Sequence, residues 1–208
     1  MAYPVKEDVQ AILAPYHARI RTVVERAWQE WRAVAIFRTK RHFSPVLYSR
    51  TVANYVFDAI ARYAVSEFAA DSSVHIKIEA QTVKFFFKGA VLARFKKGDD
   101  NGLGQNNPTQ AVLAFVDADG TLPNLPAETA KVEFIWLPNE IQTSLDYVLV
   151  VARDNDHLLW NYEIKPSEPG SGSGTIVPFP TPLTSPDSSD NERLVRPKNP
   201  DIKKTKDE

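Results

Sequence analysis

The sequence predicts an α+β fold: two or three N-terminal helices packed on one face of an antiparallel sheet of about six strands, followed by a disordered C-terminal tail. Three observations predict it. Apolar residues recur at three- and four-residue spacing up to about residue 70, then alternate one-on, one-off from residue 74, and beyond Lys165 the periodicity stops.

A short helix is expected from Val5 to Ala14, with Pro15 in the first turn of the next. Ile20, Val23, Val24, Ala27, Trp28, Trp31, Val34 and Ala35 form one stripe and predict a long amphipathic helix over 16–38. After a break at residues 39–43, Ser44 and Pro45 read as an N-cap and first-turn pair. Tyr48, Val52, Tyr55, Val56, Ala59, Ile60 and Tyr63 then carry a second stripe to about Phe68.

Val74, Ile76 and Ile78 alternate with His75, Lys77 and Glu79. Val83, Phe85 and Phe87 alternate with Lys84, Phe86 and Lys88, and Val91, Ala93 and Phe95 with Leu92, Arg94 and Lys96. A three-residue connection Lys88-Gly89-Ala90 sets Phe87 opposite Val91, Phe85 opposite Ala93 and Val83 opposite Phe95. A two-residue turn would mix Arg94 with the phenylalanines. The expected outer face carries Lys84, Phe86, Lys88, Arg94 and Lys96.

Residues 97–107 read as a loop, dense in Gly, Asn and Asp. Asn107 with Pro108 resembles an N-cap opening a short helix through Ala111, Val112 and Phe115. Three more strands are expected around Val132–Trp136, Tyr147–Val151 and Leu158–Ile164, the last two joined at Asp154-Asn155-Asp156. Residues 166–208 hold eight of the 15 prolines and the run Gly170–Gly174, which predicts a disordered tail. Within it, Ile176, Val177, Phe179 and Leu183 read either as a docking segment in extended form or as an idle linker.

No apolar run approaches the roughly 20 residues of a membrane span, and residues 1–10 do not read as a secretory signal, so a cytoplasmic location without membrane contact is expected. The chain has no cysteine, which excludes disulfides, thiolate catalysis and cysteine-held zinc. Its net charge of −1 hides a segregation: residues 1–98 hold 16 Lys/Arg against 8 Asp/Glu, and residues 99–165 hold 3 against 11. The halves attract each other, or the basic half attracts a polyanion.

Several constellations carry chemistry by residue type. Asn106, Asn107 and Thr109, closing a Gly-rich loop before a helix, read as an anion site or as plain turn chemistry; the Lys-Ser/Thr pair of a P-loop is missing. Glu163-Ile164-Lys165 with Asp146 has the residue types of a metal-dependent nuclease, but not its expected continuation into a further helix and strand. Asp154, Asp156 and His157 suit a metal by type and a hairpin tip by position. His17, His42, His75 and His157 form no two-ligand helical motif, no serine sits in a nucleophile elbow, and no cofactor is called for. Arg38, Lys40, Arg41, His42 and Arg50, interleaved with Phe37, Phe43 and Tyr48, suit nucleic-acid or partner binding, or form a solvated turn.

Ala93-Arg94-Phe95-Lys96-Lys97, Asn106-Asn107-Pro108-Thr109-Gln110 with Phe115, a strand at Tyr147–Val151 and Trp160 together resemble a group of bacterial and prophage helix-then-strand proteins. These are encoded beside repressor-like regulators and zinc-peptidase-like partners in toxin–antitoxin or phage-defence style loci. The resemblance spans about residues 45–164 and implies a setting, with no catalytic residue to carry over. The expected function is that of a non-enzymatic regulatory or neutralising binding protein acting through a protein partner. The competing expectation is a nucleic-acid binder or metal-dependent nuclease toxin using a basic sheet face.

Overall fold

The N-terminal helices form where the apolar stripes lie. In a computed structural model, which describes residues 5–166 apart from residues 47, 80, 81, 108 and 124, α1 spans Lys6–Leu13 and a 3-10 turn follows at Ala14–Tyr16, with Pro15 in its first positions. The second helix, α2, spans His17–Lys40 and buries Ile20, Val23, Val24, Ala27, Trp28 and Trp31. The third, α3, spans Ser49–Phe68 and buries Val52, Val56, Ala59, Ile60, Ala64 and Phe68. Ser44-Pro45 does not begin α3: residues 43–46 are irregular, the Ser44 carbonyl accepts from Arg38 Nη2 at 2.8 Å, and Tyr48 stands at the helix start without a side-chain cap.

Six strands follow: β1 Val74–Glu79, β2 Thr82–Phe87, β3 Val91–Lys97, β4 Ala130–Pro138, β5 Leu145–Asp154 and β6 His157–Glu163, with α4 Gln110–Val116 between β3 and β4. They lie side by side in chain order. The β2–β3 hairpin has the expected register, Phe87 opposite Val91 and Phe85 opposite Ala93, with Lys88 and Gly89 at positive φ in its turn. Asn155, also at positive φ, turns β5 into β6.

The sheet departs from the expected antiparallel arrangement at one junction. β3 and β4 pair in parallel, Ala93 opposite Val132 and Arg94 opposite Glu133, because residues 98–129 carry the chain back to the end at which β3 begins before β4 starts. A parallel pair needs such a crossover. Here the crossover carries α4 across the sheet face away from α2 and α3.

Two apolar layers result. Helices α2 and α3 cover Phe85, Phe87, Phe95, Phe134, Trp136, Val148 and Val150 in the main core. There Phe68 meets Phe85 at 5.8 Å and Phe85 meets Phe95 at 5.7 Å between centroids, edge to face. Each ring removed from water this way contributes about 1.5–3 kcal/mol. On the opposite face Leu92, Phe115 and Val116 form one small cluster, with Phe86 packed against it, and Leu103, Ile135 and Val151 another. The tail expected to be disordered, with its Ile176–Leu183 patch, lies outside the described residues apart from Pro166.

Candidate functional site

Covering the second face converts the expected basic surface into an internal charge network. Arg94 is 2% exposed and Glu133, its partner in register across the β3–β4 pair, is 0% exposed. Arg94 Nε and Nη2 donate to Glu133 Oε1 at 3.0 and 2.6 Å, and Nη2 also donates to Asn106 Oδ1 at 3.1 Å. The guanidinium lies over the Phe115 ring, 4.1 Å from its centroid. From β5, Arg153 Nη1 reaches Glu133 Oε2 at 3.5 Å and the Gly104 carbonyl at 3.1 Å. One buried carboxylate thus serves two guanidiniums. Burial lowers the pKa of Arg94 against the opposing pull of Glu133, and burial, then Arg94, lowers that of Lys96.

The loop above this network is held by its own geometry. Gly98 and Gly104 pair as an isolated bridge, and Asp99 Oδ1 accepts from the N–H groups of Asn101 and Leu103, both at 2.9 Å. A Cβ on Gly98 would meet the Leu137 side chain at 2.5 Å, and one on Gly104 would collide with the Glu133 carboxylate, so both positions need glycine for close approach. Above the loop lies a cleft of about 390 Å³.

The remaining basic residues of the expected outer face are also engaged. Lys84 pairs with Glu79 at 2.9 Å, and Phe86 packs against Leu92, Phe115 and Val116. Lys88 lies in the β2–β3 turn rather than on the outer face, its ammonium 5.9 Å from the Tyr16 ring centroid. Lys131 points into the crossover, donating to the carbonyls of Ala114, Asp117 and Gly120, and burial lowers its pKa. An open basic sheet face is therefore not what this fold presents. The segregated charges partly answer each other, as Arg94–Glu133 and Arg21–Glu163, the latter at 3.9 Å, join the two halves.

Of the expected anion loop, Asn106 turns inward: its Nδ2 donates to the Gly104 carbonyl at 2.8 Å and to Glu133 at 3.3 Å. Thr109, not Asn107, caps α4, its Oγ1 accepting from Val112 N at 3.3 Å, while the Asn107 carbonyl accepts from Thr109 N. The nuclease set is not assembled. Asp146 sits where the β4–β5 register slips, Glu163 pairs with Arg21, and Lys165 is exposed beyond the end of β6. Asp154 and Asp156 serve the β5–β6 turn, Asp154 Oδ1 accepting from Ala118 N and Asn155 Nδ2, and Asp156 Oδ1 from Arg153 Nη2. Among the described residues no group of three or more His, Asp or Glu side chains is placed to hold a metal ion.

The Arg38–Arg50 cluster keeps its exposure. None of the described residues between Trp31 and Val52 is buried, although Val34, Ala35 and Val46 pack against the edge of the main core, and the last turns of α2 and the start of α3 form an exposed helical tip. Residues 31–57 contain Arg32, Arg38, Lys40, Arg41 and Arg50 and no Asp or Glu. Phe37, Phe43 and Tyr48 are 52%, 54% and 62% exposed. Each has a guanidinium over its face: Arg41 over Phe37 at 5.5 Å, Arg38 over Phe43 at 5.8 Å and Arg50 over Tyr48 at 5.1 Å. His42 turns the chain at φ 54°. Sequence reading found these residues but not the pairing of each ring with a guanidinium.

Compared with protein-family models, curated proteins and solved structures, the chain matches none. Among the described residues no helix is long and apolar enough to cross a membrane.

Proposed function

We propose that the protein is a non-catalytic binding protein of regulatory or neutralising kind, acting in the cytoplasm through a protein partner that it engages with the α2–α3 tip. The observation that carries this reading is the set of three exposed rings, each stacked with an arginine, on a stretch free of acidic residues. Arginine and aromatic side chains dominate binding hot spots because they bring large contact area together with directed donors. A guanidinium already stacked on a ring is pre-oriented, so less freedom is lost when it meets a carboxylate. The toxin–antitoxin or phage-defence setting implied by the resemblance supplies a natural context for such a partner.

Copurification of the full chain from its native host tests this. A stoichiometric protein partner is expected, and the variant Arg41→Ser, Phe43→Ser is expected to lose it while remaining folded. Recovery of the chain alone, or a partner retained by that variant, would overturn the reading.

The four cations Arg38, Lys40, Arg41 and Arg50 and the exposed rings also suit a single-stranded nucleic acid, by phosphate neutralisation and base stacking. Titration with oligothymidylate and oligouridylate at two salt concentrations separates the two. Salt-sensitive binding lost in the tip variant selects the nucleic-acid reading, and its absence leaves the protein partner.

A further inference from the structure

We propose that the α2–α3 tip receives an acidic protein segment, whose carboxylates seat on Arg38, Arg41 and Arg50. This names the chemistry of the partner and rests on the reading of the tip as a partner surface. What carries it is a difference in charge pairing between the tip and the rest of the fold. Outside the tip, Arg19, Arg21, Arg62, Arg94 and Arg153 each hold a carboxylate, with nitrogen to oxygen distances of 2.5 to 3.1 Å. Among the described residues no carboxylate pairs with Arg38, Arg41 or Arg50.

The fold has no acid to spare for them. The nearest acidic residues in the chain are Glu30 and Asp58. Glu30 already accepts from Tyr55, Arg62 and Tyr63, and Asp58 lies two turns beyond Arg50, about 12 Å along α3. The tip is therefore a positive surface that the chain itself leaves unanswered, and like charges so concentrated favour a negative partner.

The stacking decides which negative partner fits. An arginine that serves solubility alone extends into water, whereas these three lie over exposed rings at 5.1 to 5.8 Å. A guanidinium laid on a ring uses its face there and keeps its N–H edge, where a carboxylate binds in the plane by two parallel hydrogen bonds. Base stacking needs the ring faces themselves. Here each ring has a guanidinium over one face, and Phe37 and Phe43 also meet edge to face at 6.3 Å, which closes a further one. The edges of the guanidiniums are more available than the faces of the rings, and edges suit carboxylates.

The test is titration of the full chain with polyglutamate at low and at physiological salt, followed through the Nε–H resonances of Arg38, Arg41 and Arg50. Saturable shifts of all three are expected, with binding weakened about tenfold at the higher salt. Replacing the three together, Arg38→Gln, Arg41→Gln and Arg50→Gln, is expected to weaken binding by roughly tenfold or more, the sum of three exposed ion pairs, with the melting temperature unchanged. Arg38→Lys, Arg41→Lys and Arg50→Lys together keep the charge, lose the planar fork and are expected to fall between. Absence of saturable shifts, binding that survives the glutamine substitutions, or lysine substitutions equal to wild type overturns the proposal. So does oligothymidylate that displaces the polymer at lower concentration, which selects a nucleic acid. Copurification and this titration fail separately: a host partner lost in Arg41→Ser, Phe43→Ser beside a tip blind to polyglutamate keeps the partner surface and removes its acidic occupant.

Discussion

Arg94 and Glu133 stand opposite each other in the parallel β3–β4 pair, Nη2 2.6 Å from Oε1, with side chains 3% and 1% exposed. Two charges so fully removed from water stabilise the fold only while they remain together, because each alone carries an unrepaid desolvation cost.

Glu133→Ala strands two buried guanidiniums and is expected to cost about 3–5 kcal/mol. Replacing the pair together, Arg94→Met with Glu133→Leu, is expected to recover part of that loss, the part due to Arg94, since Arg153 still lacks its carboxylate. Urea unfolding of the single and double variants measures both; a double variant as unstable as Glu133→Ala would show that the charges are not coupled.

Gly104→Ala places a methyl group against the Glu133 carboxylate. The loop then lifts or the network breaks, and either is expected to destabilise by about 1–3 kcal/mol. Gly89→Ala meets nothing within 4 Å, but it sits at φ 64° and loses only turn stability. Comparing melting temperatures of the two variants checks the order.

At the tip, Phe43→Ser removes a ring that is 54% exposed and packs on its own neighbours. The expected stability change is within about 0.5 kcal/mol. A larger loss would mean that the tip is part of the core rather than a surface offered to a partner.

Asp71 gives the acid side of the stability curve a specific shape. Its Oδ1 accepts from Ser73 Oγ and Ser73 N, and Oδ2 from Arg19 Nη1, and these bonds hold the carboxyl at about 2 instead of 3.8. Its folded pKa lies below the unfolded value, so its contribution is fully present above about pH 4 and is lost as pH falls from there toward 2. Asp71→Asn is expected to flatten the wild-type loss of stability in that window, as followed by urea midpoints at several pH values.

Much of the fold was legible because one-on, one-off alternation and a single turn length fix a hairpin: Phe85, Phe87, Val91 and Ala93 lie as their pattern required. Strand direction was not legible, since alternation reads the same for parallel and antiparallel neighbours, and so the β3–β4 pair escaped notice. The burial of Arg94 was hidden for a related reason. A lone arginine between Leu92 and Lys96 resembles the solvent face of a one-sided strand. The signal that could have found it lies in the partners: Leu92, Ile135, Leu149 and Val151 fall on the supposed outer face and are apolar, which means that something covers them. Glu133, set among Val132, Phe134 and Ile135, is the opposite charge such a covered arginine requires. The tip residues were legible as a cluster because no acidic residue interrupts residues 31–57.

The side-by-side order of the strands also divides the sheet into a local part and a non-local seam. β1–β2–β3 and β4–β5–β6 are each a meander joined by short turns, so each forms from contacts near in sequence. Joining them closes the long 98–129 segment, the kind of non-local step that slows folding. Arg94 and Glu133 straddle that seam, one in each half-sheet. Their bond spans the two halves, and the charge network is the clasp that holds two locally connected meanders together as one sheet.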